Sequence, residues 1–197
     1  MCCGPAKTRP NAMTLNSALA LATLAMTPLL ASGNDKEYAN SKFHYKLTLP
    51  PRWNIDVPES GVPVLFNYKR SEGGPQGLFP GGGANIYLIP LAAVEARTPA
   101  KTLDDWITRN LERDHKNASI KQLHGADNSE RAPQGIVEVQ SDFVRDSQDE
   151  EPQHEVSYYF RLNGATFRLM LLYWKHDPNG SRLQAICESV LRSIRAQ

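Results

Sequence analysis

The sequence predicts an α+β fold, in which an antiparallel β-sheet of about six to seven strands packs with two main helices. Three observations predict it. Several segments alternate apolar and polar residues, as half-buried strands do. Two other segments carry one apolar stripe at helical spacing. Strands and helices do not alternate in a regular rhythm, so nothing indicates a parallel sheet.

Residues 1–33 have the features of an export signal peptide. Two basic residues precede a run of small and apolar residues over 14–30, and small residues at 31–33 suit a signal peptidase. The apolar run is shorter than the roughly 20 residues that cross a bilayer, and Pro28 interrupts it. We therefore expect cleavage near Asn34 and a periplasmic or extracellular protein, with retention of the segment as the alternative.

The remainder of the chain has the composition of one globular domain. We expect residues 34–42 to be a flexible lead-in and residues 43–197 to form a single α+β domain. Without residues 1–33 the chain has 20 basic and 21 acidic residues, a balance that argues against a general nucleic-acid binder. Cys187 is then its one cysteine, so packing and not an internal disulfide must stabilise it.

The first part of the domain is predicted to consist of strands. Apolar and polar residues alternate over residues 43–49, and two prolines end that strand. Alternation returns over residues 62–68 and again over residues 85–91. The stretch between these two strands, residues 71–83, is rich in glycine and predicts a loop.

A helix and two more strands are predicted in the middle of the domain. Thr102 can cap a helix that ends near His115 and that has acidic residues in its first turn, where the helix dipole favours them. Strands are expected over residues 120–123 and 136–144. An acidic loop, residues 146–155, follows.

The clearest predicted element is a hairpin near the C-terminus. Its strands, residues 156–162 and 165–173, are joined by Asn163 and Gly164, the pair best suited to a tight turn with two positive φ angles.

A final helix is predicted to pack on the sheet. A turn at residues 177–180 precedes it, and Ser181 with Gln184 has the spacing of a capping box. Its apolar residues are spaced by three and by one, which places them on one stripe. The stripe consists of Leu183, Ile186, Cys187, Val190, Leu191 and Ile194.

Two stretches resemble PsbP/Mog1-like domains. Residues 43–53 resemble the opening strand, proline turn and tryptophan of these domains. The strand 168–174, the turn 176–180 and the helix end 190–194 resemble their closing part, so the resemblance covers residues 43–195. It implies a PsbP/Mog1-like sandwich that serves as a binding or assembly module, as in photosystem accessory proteins, a Ran-binding factor and many bacterial exported proteins. It implies no catalytic residues, because none is shared across the superfamily.

No group of residues indicates catalysis, a cofactor or a metal site, and we assign none. Cys187 lies in the apolar stripe of the last helix, where a thiol is buried and poorly ionised. The acidic loop lacks the ligand pattern of an EF-hand, so it is expected to be solvated, with a weak divalent cation as the alternative. The histidines lack metal-ligand spacing and are expected at the surface. They are His44, His115, His124, His154 and His176.

Two places are candidates for partner binding. Leu78 and Phe79 form an apolar tip within the glycine-rich stretch, although folding back over the sheet is the alternative. Arg161 and Arg168 project from the hairpin on the face away from its phenylalanines, together with Met170. If helices cover both faces of the sheet, these hairpin residues are structural; otherwise they form an open surface.

The sequence thus favours an exported, non-enzymatic binding or accessory module that contacts another protein in the cell envelope. Two alternatives remain: a hydrolase or transferase whose site is assembled only in the fold, and a carrier of a small apolar ligand. A deep pocket with a histidine and a carboxylate would favour the enzyme. An enclosed apolar cavity would favour the carrier.

Overall fold

The computed structural model describes residues 36–69, 82–94, 102–123, 129–143 and 152–197. The expected export signal, the tip with Leu78 and Phe79, and the acidic loop up to residue 151 lie outside these residues. The described residues form ten strands and three helices. The strands are β1 (Glu37–Asn40), β2 (Tyr45–Thr48), β3 (Asn54–Asp56), β4 (Val64–Phe66), β5 (Ala84–Pro90), β6 (His115–Gln122), β7 (Gln134–Phe143), β8 (Gln153–Leu162), β9 (Ala165–Trp174) and β10 (Arg195–Ala196). The helices are α1 (Leu91–Val94), α2 (Leu103–Asp114) and α3 (Gly180–Ser193).

The strands form two antiparallel sheets. The larger has seven strands in the order β3-β4-β5-β9-β8-β7-β6, and the smaller has three in the order β1-β2-β10. The α+β class, the antiparallel sheet of about seven strands and the two main helices are therefore confirmed. The hairpin turn has the predicted geometry, because Asn163 and Gly164 have φ angles of 50° and 75°.

Two apolar clusters cover opposite faces of the large sheet. On one face, α3 and the small sheet pack on β5, β8 and β9; this cluster includes Tyr45, Phe160 and Cys187. On the other face, Trp106 and Ile107 of α2 pack with residues of β7 and β8. We call these the α3 face and the α2 face. The prediction that the last helix packs on the sheet is confirmed.

The expected lead-in contains a strand. Residues 37–40 pair with β2, and the Asn40 side chain accepts hydrogen bonds from the N–H groups of Lys42 and Phe43, each at 3.1 Å. These bonds close the turn between the strands. Tyr38 packs against Tyr45, with ring centroids 6.3 Å apart. Residues 37–40 of the expected lead-in thus belong to the small sheet, and their polar composition did not indicate a strand.

The start of α3 also differs from the expectation. The helix begins at Gly180 after the N-cap residue Asn179, and no side chain caps it. Gln184 does not complete a capping box; its amide donates to the Tyr173 hydroxyl at 2.7 Å. The capping box was therefore wrong, because the turn lets the helix begin one residue before Ser181. By contrast, Thr102 caps α2 as predicted, accepting from the Asp105 N–H at 3.1 Å.

The strand that follows α2 is longer than expected. β6 begins at His115, directly after the helix, and a register shift between Lys116 and Ser119 interrupts its pairing with β7. An irregularity of this kind breaks the alternation by which strands are recognised. The sequence therefore showed only the regular end of the strand.

Candidate functional site

A half-open cleft of about 610 Å³ lies between the C-terminal end of α3 and strands β6, β7 and β8. It forms because α3 packs against β2 and β9, and none of the described helices packs over the β7 and β6 end of the α3 face. Its floor is apolar and its rim is charged. The apolar lining consists of Leu123, Ala132, Pro133, Ile136 and Leu191, and the polar lining of Lys121, Glu138, Tyr158, Glu188, Arg192 and Arg195.

The rim carries charges of both signs. Lys121 and Glu138 face each other across β6 and β7. Arg192 pairs with Glu188 one helical turn away, at 3.2 Å. Both of the latter side chains are exposed, and such a pair contributes at most about 1 kcal/mol to stability. Little free energy is therefore needed to separate the Glu188 and Arg192 side chains when another molecule approaches.

The C-terminal end of α3 is held by Arg195. Its guanidinium donates to the carbonyl oxygens of Arg192 and Ile194 at 2.6 and 2.7 Å. A cation at this end of a helix interacts favourably with the helix dipole. Arg195, the first residue of β10, thereby connects the end of α3 with the cleft rim.

Tyr158 is the polar group of the floor. Its side chain is almost completely buried, yet it lines the cleft. Burial raises the pKa of Tyr158 well above its usual range, and the nearby Cys187, Glu138 and Glu188 raise it further. The hydroxyl therefore stays neutral. Among the described residues, none forms a hydrogen bond with it, so it can donate to a molecule in the cleft.

The hairpin arginines, both predicted as partner-binding residues, have different surroundings. Arg168 lies on the α2 face and is 7 % exposed. Its guanidinium donates to Glu155 at 2.5 Å and to the Ser157 hydroxyl at 2.9 Å. Helices cover both faces of the sheet, so the structural alternative for Arg168 applies. Arg161 is exposed and lines a shallow depression beside the hairpin turn.

Glu155 corrects the expectation for the acidic loop. It was expected at the end of a solvated acidic loop, but it belongs to β8 and is 4 % exposed. Its carboxylate accepts from Arg168 and from the Ser157 hydroxyl, the latter at 2.7 Å. Arg168, 13 residues further along the chain, stabilises the Glu155 carboxylate in the interior. A local sequence pattern does not indicate a pairing over this distance.

His154 belongs to an ionic cluster outside the cleft. Its Nδ1 lies 3.1 Å from Asp142, whose other oxygen accepts from Lys175 at 2.7 Å. The imidazole also packs edge-on against Tyr173. The cluster ties β7, β8 and the end of β9 together. The residues that line the cleft include no histidine, and the described residues contain no group of side chains that could hold a metal ion.

Cys187 is expected to resist alkylation in the folded protein. Its side chain is fully buried, and burial raises the pKa of the thiol, with a smaller contribution from Glu188. In a Cys2→Ser, Cys3→Ser variant, iodoacetamide at pH 8 should label Cys187 at least about a hundredfold more slowly in buffer than in urea. Rapid labelling of a protein with an unchanged circular dichroism spectrum would contradict this burial.

The chain is thus an α+β sandwich protein with an open, amphipathic cleft. No family of known proteins matches it, and no curated protein does either. Among the described residues, no helix is both long enough and apolar enough to span a membrane.

Several solved structures are similar to it. A protein from Bacteroides thetaiotaomicron is 13% identical with a TM-score of 0.46; the match covers 84% of this chain and 49% of that one, so the chain spans about half its length. PsbP from the cyanobacterium Synechocystis is 15% identical, with a TM-score of 0.44, over 87% of this chain and 100% of that one. The Ran-binding protein Mog1p from Saccharomyces cerevisiae is 14% identical, with a TM-score of 0.44, over 81% and 90%. The agreement with the PsbP/Mog1-like resemblance concerns the fold alone, and at these TM-scores nothing about function follows from it.

The cleft was not predicted from the sequence, although one sequence pattern in β7 indicates it. In β7 the polar side chains Glu138 and Gln140 share one face, while Val137 and Val139 share the other. A polar face on a strand inside a sheet indicates that no helix covers it there. The cleft lies at that face, over which none of the described helices packs.

Proposed function

We propose that this protein is an exported, non-enzymatic binding module that acts through protein-protein contacts in the cell envelope, and that its partner docks in the cleft. The observation that carries the proposal is the combination of an apolar floor with a rim of both charge signs. Such a surface suits a protein segment that inserts an apolar side chain and surrounds it with polar contacts. Export is supported by the features of residues 1–33.

The cleft carboxylates belong to its polar rim. Glu188 is paired with Arg192. Glu138 accepts a hydrogen bond from the Gln140 amide at 2.8 Å. Polar side chains that surround an apolar centre are typical of a binding site, so we assign both carboxylates to its rim.

Carriage of a small apolar ligand is the second candidate. The cleft volume of about 610 Å³ falls within the range of small-molecule sites, and the Tyr158 hydroxyl could orient such a ligand. The charged rim favours a protein partner, because an apolar molecule would make no polar contacts with Lys121 and Arg192.

A Leu123→Glu substitution is expected to weaken partner binding at least about tenfold, because a carboxylate on the floor opposes burial of an apolar side chain. The partner is first captured by crosslinking in cell envelopes with the full-length protein and identified by mass spectrometry. Its affinity for both forms is then measured with purified proteins.

Val57→Glu is the matched control. Val57 is 44 % exposed and follows β3, the strand at the opposite edge of the large sheet, so the same change there should leave the affinity unaltered. Equal binding of the partner to the Leu123→Glu variant would contradict docking in the cleft. Recovery of a small molecule in place of a protein would favour the carrier.

A further inference from the structure

The edge of the large sheet beside the cleft is formed by β6, the last strand in the sheet order. Among the described elements none pairs with its outer side. It has eight residues, whereas β3 at the opposite edge has three. An open strand edge presents backbone donors and acceptors that can pair with another extended chain.

The register determines which backbone groups of β6 reach this edge. The Leu123 N–H donates to the Ile136 carbonyl at 2.9 Å. Facing residues in an antiparallel pair alternate between those that exchange hydrogen bonds and those that do not. Lys121, two residues earlier, therefore also turns its backbone groups toward β7. The backbone N–H and C=O groups of Ile120 and Gln122 point outward, to the edge that no described strand pairs with.

The side chains of this segment are also suited to a partner strand. Ile120 is 60 % exposed and lies on the α2 face, opposite Val139. Lys121 points to the other face and lines the cleft. Lysine and irregular pairing are common protections of a sheet edge. Here the irregularity ends at Ser119, and the regular part of the edge keeps an exposed isoleucine.

We propose that the partner docks as an extended peptide segment that adds a strand to β6, exchanges backbone hydrogen bonds with Ile120 and Gln122, and places an acidic side chain opposite Lys121 at the cleft. Its neighbouring residues lie beside Ile120 and are apolar or β-branched. This inference rests on the proposed function, because it specifies how the partner of the cleft is held. Opposite charges that face each other across two strands favour the pairing, so Lys121 selects an acidic segment.

The probe is a displayed library of random linear peptides, enriched on the full-length protein immobilised through a tag after Gln197. Enriched peptides should alternate in polarity and carry Asp or Glu at one position. Ile120→Pro should weaken the binding of such a peptide about tenfold or more, because proline removes an outward N–H. It removes no bond to β7, so the sheet is retained. Ile120→Val is the matched control, and its affinity should stay within about twofold, because only one methylene is lost.

A charge exchange tests the role of Lys121. The Lys121→Glu variant should lose the acidic peptides and bind those in which Lys replaces the acidic residue. Enriched peptides that bind Ile120→Pro as tightly as the parent, or a library that yields no alternating acidic sequence, would overturn the inference.

Hydrogen exchange supplies a readout that needs no variant. The amides of Ile120 and Gln122 should exchange more slowly when an enriched peptide is bound, and unchanged exchange of both would contradict strand addition. The two proposals can be separated. If the envelope partner binds the Ile120→Pro variant normally but not the Leu123→Glu variant, the cleft function stands and the added strand does not.

Discussion

A Phe167→Ala substitution is expected to lower the free energy of unfolding by about 3–5 kcal/mol. Phe167 is 1 % exposed on β9. Its ring stacks on Phe160 with centroids 5.7 Å apart and forms a T-shaped contact with the Tyr45 ring at the same separation. Because Tyr45 belongs to the small sheet, Phe167 connects the two sheets. A domain has only about 5–15 kcal/mol of stability, so the loss is a large fraction.

Urea unfolding followed by tryptophan fluorescence measures this loss. Val57→Ala is the control, because Val57 is partly exposed and is not among the residues of either apolar cluster; its expected cost is within about 0.5 kcal/mol. A loss below about 1 kcal/mol for Phe167→Ala would show that this ring does not join the sheets as described.

Removing the buried carboxylate by Glu155→Ala is expected to cost about 3–5 kcal/mol, because Arg168 is left as an uncompensated charge in the interior. Arg168 also lies over the Tyr159 ring, 5.4 Å from its centroid, and that contact does not replace the anion. The measurement is again the free energy of unfolding. Replacing both partners by apolar residues, as in Glu155→Leu with Arg168→Met, should recover part of the loss.

The exposed pair of the cleft rim supplies the control for this prediction. Glu188→Ala removes the partner of Arg192 at the surface and is expected to cost about 0–1 kcal/mol. If Glu155→Ala costs no more than Glu188→Ala, the interior pair contributes no more than a surface pair, and the structural role of Arg168 is contradicted.

The elements that could be predicted from sequence are those whose signal is local. The alternation in β8 and β9 and the pair Asn163 and Gly164 define the hairpin without any long-range information. The stripe of α3 likewise gives its buried side, which includes Leu183 and Val190. Thr102 marks the start of α2 for the same reason.

Short elements and long-range pairs could not be predicted. β3 and β10 have three and two residues, too few to show alternation. The pairing of Glu155 with Arg168 depends on the register of the hairpin, so the sequence placed one in a loop and the other on a candidate surface. The cleft depends on where α3 crosses the sheet, which no local pattern specifies.

Site-specific photocrosslinking tests the central claim, that a partner protein binds in the cleft, most directly. Glu188, whose side chain is exposed at the cleft rim, is replaced by the photoreactive residue benzoylphenylalanine in the full-length protein, which is then irradiated in its own cells. The same replacement at Val57, near the opposite edge of the sheet, is the control. Docking in the cleft predicts a discrete protein adduct from position 188 that is absent from position 57. No adduct from position 188, or the same adducts from both positions, would contradict it.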